Sequence, residues 1–248
     1  MAHIQASVHE RILRLRLARA EKKNALTGEM YETLTQALVD AESNPAIHVV
    51  LFEADGDSFT AGNDLRDFAA VASGELDPGE LRVLGFLDAL CKATKPYVAA
   101  VQGAAVGIGT TLLLHCDLVY VAENARLLTP FANLGLVPEA GSSMLLPARV
   151  GYVRAFEMFA LGATIDGRTA ATLGLANAAV PATELEQRAL TAAQALASKP
   201  LGALRQTKRL MRDAETLRAV MDEEIRAFGQ CLRSPEALAA FRAFASRR

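Results

Sequence analysis

"VQGAAVGIGTTLLLHCDLVY", residues 101–120, holds three glycines, at 103, 107 and 109, between two apolar runs. The residues before it, Tyr97–Val101, have the length and composition of a buried strand, and Leu118–Ala122 have the same character. Between them the glycines mark a turn into an uncharged, apolar helix. A dinucleotide-binding turn would need G-x-G-x-x-G, but Leu112 stands where the third glycine belongs, and no acid follows a second strand at the expected distance. What remains is a helix entry whose first N–H groups lack intrahelical partners and can face a cleft, where they favour negative charge. The glycines serve tight strand–helix packing equally well. His115 and Asp117 read as groups that satisfy buried backbone or close the helix end.

Working outward, Val49–Phe52 forms another short apolar run, and the N-terminal "MAHIQASVHERILRLRL" alternates apolar and polar residues as a pair of strands does. Thr27 can cap a helix that carries Met30, Leu34, Leu38 and Ala41 on one side. Asp77-Pro78-Gly79-Glu80 is a helix start signal, with Leu81, Leu84, Leu87 and Cys91 following at helical spacing. The Gly, Ser and Asp residues at 73–79 mark an exposed loop. Strands alternating with helices predict an α/β core with mainly parallel strands. The pattern changes near residue 184: from there to Arg248 it is helical, and Ser234-Pro235-Glu236 opens a last helix bearing Leu238, Phe241 and Phe244. The expected division is therefore a core over 1–183 and a helical region over 184–248.

The composition narrows the function. With 26 basic and 28 acidic residues in 248, and a net charge of −2, the chain lacks the basic excess of a nucleic-acid binder. Cys91, Cys116 and Cys231 are scattered and odd in number, and the four histidines fit no zinc spacing, so neither a disulfide framework nor a metal site is expected. The uncharged runs are broken by Gly and Thr and are poor membrane spans, and the N-terminus does not read as a signal peptide. A cytoplasmic protein is expected.

Two further stretches can carry chemistry. In "DSFTAGNDL", 57–65, Gly62 can take positive φ and leave the next amide free; the stretch also reads as a strand-to-helix turn capped by Asn63 or Asp64. In "GLVPEAGSSMLLP", 135–147, Glu139 is the only charge, and by itself it reads as an acid at a helix start. Ser142 and Ser143 do not complete G-x-S-x-G, so a hydrolase elbow is unsupported.

Taken in order, "KKNALT" (22–27), "SFTAGNDL" (58–65), "VQGAAVGIGTTLLLHCDLVY" (101–120) and "FANLGLVPEAG" followed by "LPARVG" (131–151) resemble the crotonase, or enoyl-CoA hydratase/isomerase, superfamily over nearly the whole chain. The resemblance implies an α/β fold, a spiral of ββα turns followed by a C-terminal helical trimerisation region, and hence a homotrimer or a dimer of trimers. It implies an acyl-coenzyme A thioester as substrate, with coenzyme A entering only as part of that substrate and no separate cofactor. It places the backbone N–H groups of Asn63 and Ile108 on the thioester oxygen as an oxyanion hole. Lys23, Ala25, Ala61, Asp64, Leu65 and Gly107 fall along the coenzyme A channel, with Arg66 or Arg247 as candidates for its phosphates.

The departures from the family pattern are informative. The two glutamates of the family's hydratases fall here on Thr111 and Phe131, so two-base water addition is poorly supported. The peroxisomal-type enoyl-CoA isomerases carry a carboxylate in the turn that holds Glu139, and phenylacetyl-CoA isomerases carry an aspartate there. The resemblance thus implies that Glu139 shifts a 3-enoyl double bond to C2–C3, taking a proton from C2 and returning it at C4. Phe131, Leu134, Leu136 and Val137 are expected to surround Glu139 and raise its pKa. The segment 66–80 is expected to shape the acyl pocket, and Phe68, Phe86 and Phe131 fit either that pocket or the core. The alternatives are a hydratase or another crotonase reaction using Glu139 alone, or a non-catalytic acyl-CoA binder.

Overall fold

The computed structural model describes residues 3–245, apart from the side chains of residues 65, 67, 72, 244 and 245. The chain opens with an antiparallel pair, β1 (Ile4–His9) and β2 (Ile12–Leu17), then α1 (Gly28–Ser43), β3 (Val49–Ala54), α2 (Leu65–Ser73) and α3 (Val83–Lys92). Next come β4 (Tyr97–Val101), β5 (Ala104–Val106), α4 (Ile108–Thr111), β6 (Leu118–Ala122) and β7 (Arg126–Leu128). The chain continues through α5 (Ser142–Val150), α6 (Tyr152–Leu161), β8 (Ile165–Asp166), α7 (Gly167–Thr172) and β9 (Ala178–Val180). Four helices end it: α8 (Leu185–Ala197), α9 (Leu201–Met211), α10 (Ala214–Leu232) and α11 (Pro235–Ala245).

The large sheet has the order β1-β2-β3-β4-β6-β9, parallel from β2 onward, and a small sheet has the order β5-β7-β8. Strands enter the large sheet strictly in chain order, so it contains no reversal of the kind that opens a dinucleotide crevice. Instead the chain leaves β4 for β5 and β6 for β7, moving from the large sheet to the small one before returning through a helix. Thr60, bridged to Ala105, makes the same excursion after β3. This repeated strand–strand–helix turn is the crotonase-type spiral.

β4 is a continuous apolar run, and β3 is one apart from Glu53, which is paired with Arg14, because both faces are covered: every residue of the two strands is buried. Thr27 caps α1 by accepting from the Met30 N–H at 3.3 Å, and Met30, Leu34, Leu38 and Ala41 form its buried stripe. The Asp77 signal acts differently from expectation. Asp77 caps only a 3₁₀ turn, Pro78–Glu80, and Leu81 is extended (φ −62°, ψ 121°) before α3 begins at Val83. The break lets Leu81 join a second apolar cluster with Phe68, Val71, Phe131, Leu232 and Phe241. A continuous helix from Pro78 would have placed Leu81 on α3's own face. The exposed loop falls where its residues mark it, over 74–77 between the end of α2 at Ser73 and the 3₁₀ turn at Pro78.

Candidate functional site

Two strand-to-helix turns lie side by side. Thr60 O accepts from the Val106 N–H at 3.0 Å, and Leu26 N–H and Asp64 N–H bond Gly62 O and Leu26 O, each at 2.8 Å. Segments 24–26, 60–64 and 104–107 are thus stitched together through backbone. Gly62 has φ +88°, and a Cβ there would stand 2.8 Å from Val106 O. No side chain fits, so the backbone passes close enough to bring the next amide, that of Asn63, beside the second turn. Gly107 supplies that turn with φ 55° and ψ −116°, a conformation an L side chain rarely adopts. Thr110 and Thr111 N–H groups both return to Gly107 O. Among the described residues, the N–H groups of Asn63 and Ile108 have no hydrogen-bond partner. The expected apolar helix is short: α4 becomes a 3₁₀ turn at Leu112–His115, so local amides rather than a long helix dipole carry any charge stabilisation here.

Around these turns is a cleft of about 620 Å³, lined by Lys23, Ala25, Ala61, Asp64 and Gly107 among others. Asp64 caps α2 and is held as a carboxylate below its usual range, because the hydrogen bonds from Arg66 and Arg19 outweigh its burial. Lys23 Nζ is taken up by Asp57 at 2.7 and 2.9 Å, leaving the backbone of the turn to the cleft. Leu65 begins α2, and its side chain lies outside the described residues. Arg66 is engaged with Asp64 and lines an adjoining groove beside Thr27 and Glu80 instead. Arg247 lies outside the described residues.

Next to the cleft is a chamber of about 40 Å³, walled by apolar residues such as Leu81, Leu84, Leu87, Ile225 and Leu232. Among the described residues, its polar lining is Asn63 and Glu139. Cleft and chamber share Asn63, Phe68 and Phe228, and the two rings meet edge-on with centroids 5.6 Å apart. Asn63 is held by Tyr31, whose hydroxyl lies 2.5 Å from Asn63 Oδ1.

Glu139 is 7 % exposed. Its Oε1 accepts from the Thr111 hydroxyl at 2.5 Å, and among the described residues Oε2 has no partner. Burial pushes its pKa up to about 8; the Thr111 hydrogen bond pulls down and the nearby Glu224 charge pushes up. It is not a helix-start acid: α5 begins three residues later, and Glu139 contributes only its carbonyl, to the Ser142 N–H at 3.1 Å. Its apolar setting extends well beyond its chain neighbours, of which Phe131 and Leu136 share one buried cluster with Leu81 and Leu232. Phe131, Leu134 and Leu136 line the cleft, while the chamber around Glu139 is built by α2, α3 and α10. Phe68 lines both spaces, whereas Phe86 is wholly buried against Tyr31 and is core. Segment 66–80 contributes through Phe68 and Pro78, mostly as helix rather than loop.

Two groups hold the Glu139 turn: His115, which the sequence marks as satisfying buried backbone, and Glu224, which sequence reasoning missed. His115 Nε2 donates to Ala140 O at 2.7 Å, and its Nδ1 accepts from Arg212 at 2.8 Å. Burial and the Arg212 charge push the imidazole pKa down to about 3, so it is neutral. Glu224 accepts from the Gly141 and Ser143 N–H groups. A signal for Glu224 existed: it interrupts the apolar stripe of Leu217, Met221 and Phe228 on one helix. No group of three or more His, Cys, Asp or Glu among the described residues is arranged to hold a metal ion, and no described helix is long and apolar enough to cross a membrane.

Residues 7–248 match the family model described as enoyl-CoA hydratase/isomerase. The chain is 33 % identical over 242 residues to enoyl-CoA delta isomerase 2 of Rattus norvegicus, covering 96 % of this chain and 62 % of that protein. It thus spans about three-fifths of that relative's length. It is 32 % identical to 1,2-epoxyphenylacetyl-CoA isomerase of Escherichia coli strain K12, covering 87 % of this chain and 84 % of that one. Among solved structures, Pseudomonas aeruginosa OdaA superposes with a TM-score of 0.92 at 45 % identity, covering 98 % of this chain and 99 % of that one.

Proposed function

Because the chain belongs to the enoyl-CoA hydratase/isomerase family, we propose that it forms enolates of acyl-coenzyme A thioesters, and that its reaction moves a 3-enoyl double bond to C2–C3. The observation that carries this reading is a single buried carboxyl, Glu139, in an apolar chamber that shares Asn63 with the cleft.

In this reading the coenzyme A portion lies in the 620 Å³ cleft along the backbone of Lys23, Ala25, Ala61 and Asp64. The thioester oxygen meets the Asn63 and Ile108 N–H groups. Glu139 Oε2 takes a proton from C2, the C2 electron pair delocalises onto the thioester oxygen as a dienolate, and the same carboxyl returns the proton at C4. The product is the 2-enoyl isomer, with no net gain or loss of atoms. One donor to such an oxygen is worth about 3–4 kcal/mol in comparable sites. A pKa near 8 suits a group that must accept and then give up a proton at neutral pH.

Among the described residues, no second acid lines the chamber to orient water as a hydratase would: the Thr111 hydroxyl is committed to Glu139, and both Glu224 oxygens are committed to backbone N–H groups. The proposal extends to assembly. α6 exposes Tyr152, Val153, Phe156 and Leu161 by 58–81 %, a face suited to burial against another copy of the chain in a trimer.

The test is to incubate the protein with 3-enoyl and 2-enoyl thioesters in parallel, following deuterium incorporation at C2. Double-bond shift faster than water addition is expected, with Glu139→Gln losing both shift and exchange. Faster hydration overturns the isomerase reading, and undiminished exchange in Glu139→Gln overturns the role of Glu139.

A further inference from the structure

We propose that Glu224 is a positioning residue for Glu139, a buried carboxylate that reaches from α10 to hold the turn carrying the proton-transferring group; this rests on the reading of Glu139 given above. The turn needs holding. Ala140 has φ 61°, in the left-handed region that alanine disfavours, and the N-cap of α5 is Gly141, which has no side chain to cap the helix. Glu224 supplies the missing cap from another element: Oε2 accepts from the Gly141 N–H at 2.5 Å and Oε1 from the Ser143 N–H at 2.8 Å. His115 takes Ala140 O from the other side at 2.7 Å. The residue that follows Glu139 and the two amides beyond it are therefore fixed by side chains remote in sequence.

A packing role alone does not call for a carboxylate here. Glu224 is 6 % exposed and lies in the stripe with Leu217 and Met221, where an apolar residue would cost nothing to bury. Among the described residues it has no charged partner; it is held by the Gly141 and Ser143 amides, with the Ser143 side chain beside it. Its helix also supplies Ile225, Phe228, Gly229 and Leu232 to the chamber wall. One helix therefore places both the acyl wall and the base opposite it, and Glu224 is the polar link between them.

The charged surroundings fix the sign of its electrostatic effect. Toward Glu139, α4 presents the Thr111 hydroxyl, α10 presents the Glu224 carboxylate, and the 3₁₀ turn after α4 presents a neutral His115 through Ala140. Arg212 faces His115 rather than Glu139. The α3 residues facing the chamber are apolar, and Asp88 on that helix is paired with Lys92 and Arg218. On the outer side of α10, Asp222 and Glu223 pair with Arg218 and Arg226. Glu224 is thus the neighbour whose charge raises the proton affinity of Glu139, and neutralising it lowers that affinity.

The experiment compares Glu224→Gln, Glu224→Asp and Glu139→Gln with the parent for kcat, KM, C2 deuterium exchange and the acid limb of the kcat–pH profile. In Glu224→Gln the amide end sets hydrogens against a backbone N–H and loosens the turn. A kcat loss of about 10–100-fold is expected, with KM changed less than about twofold, since small misplacements of a reacting group act on the chemical step. The acid limb moves to lower pH. Glu224→Asp keeps the charge but is too short to hold both amides, so kcat falls while the acid limb stays. Parent-like kcat and acid limb in both Glu224 variants overturn the inference while leaving the function intact, provided Glu139→Gln has lost exchange. Retained exchange in Glu139→Gln instead overturns the function itself. Should Glu224→Gln not fold, Glu224→Asp decides alone: reduced kcat at constant KM supports the inference, and unchanged kcat overturns it.

Discussion

The Thr111 hydroxyl donates a 2.5 Å hydrogen bond to Glu139 Oε1, joining the first turn of α4 to the turn before α5. Both partners are buried, at 0 and 7 % exposure. The bond leaves one carboxyl oxygen anchored and the other unengaged, which is the arrangement a single group needs to carry a proton between two carbons. It also stabilises the ionised form, offsetting part of the cost of burial.

Replacing Thr111 by valine keeps the shape and removes the donor. The carboxylate then loses a bond that favours ionisation, so the pKa of Glu139, already pushed up to about 8, rises further. The first step uses the ionised form, so the acid limb of the kcat–pH profile moves to higher pH. At pH 7, kcat is expected to fall about tenfold, the scale of one lost hydrogen bond to a charged group. Rate–pH profiles of the two proteins check this, and an unmoved limb contradicts it.

The same raised pKa makes a stability prediction. A carboxyl near 8 when folded and near 4.5 when unfolded is protonated in the folded chain over a range where the unfolded chain has released the proton. Stability from this group is complete below 4.5 and is lost as pH rises through 8. Glu139→Gln abolishes that loss. It should raise the melting midpoint at pH 8.5 by about 4–8 °C, equivalent to about 2 kcal/mol in a chain of this size, and change it little at pH 4.5. Thermal melts at the two pH values give the comparison; an equal change at both assigns the effect to something other than titration.

The sequence was most legible where local rules and tertiary needs agree. The two strands that flank the 103–109 glycines fold as read, because both are interior to a sheet and their apolar runs are unbroken, while the helix between them is cut to one turn and a short strand, β5, precedes it. Thr27 and Asp64 cap the helices their spacing suggests. Asp77 misled because the local start signal is genuine but Leu81 gains more by leaving the helical path for the apolar cluster. At the site, the sequence names Asn63, Ile108 and Glu139, but not what surrounds them. The chamber wall comes from α2, α3 and α10, three elements spread over more than a hundred residues, which no reading of the chain around Glu139 brings together. Tyr31 against Asn63 and Glu224 against Gly141 are equally non-local.

The Phe68–Phe228 pair between cleft and chamber sets a size limit. The chamber is small, about 40 Å³, and in the proposed reading an acyl chain enters it by displacing these rings. Phe228 is half-buried, and Phe228→Leu is the milder truncation and Phe228→Ala the larger. The ratio of kcat/KM for long over short acyl chains should rise by about tenfold or more in Phe228→Ala, the scale of one or two methylenes newly accommodated in an apolar pocket. A panel of thioesters of increasing length reads the ratio. A uniform loss across the panel would instead place the acyl chain elsewhere.

The exposed face of α6 allows a prediction about assembly. Tyr152 and Phe156 stack with centroids 6.0 Å apart and stand 71 and 58 % exposed, beside Val153 at 81 % and Leu161 at 73 %. Leu210 and Met211, at the end of α9, are similarly bare at 78 and 83 %. Large apolar side chains grouped this way cost solubility unless another surface covers them. In a trimer the covering surface is another copy of the chain, and a charge placed within it would be buried without a partner. Phe156→Glu should therefore lower the mass seen by sedimentation from trimer toward monomer at micromolar concentration. The folded monomer should keep its secondary structure, because Phe156 makes no part of the internal core. A monomeric parent protein contradicts the proposed assembly outright, and a variant that remains trimeric moves the interface away from α6.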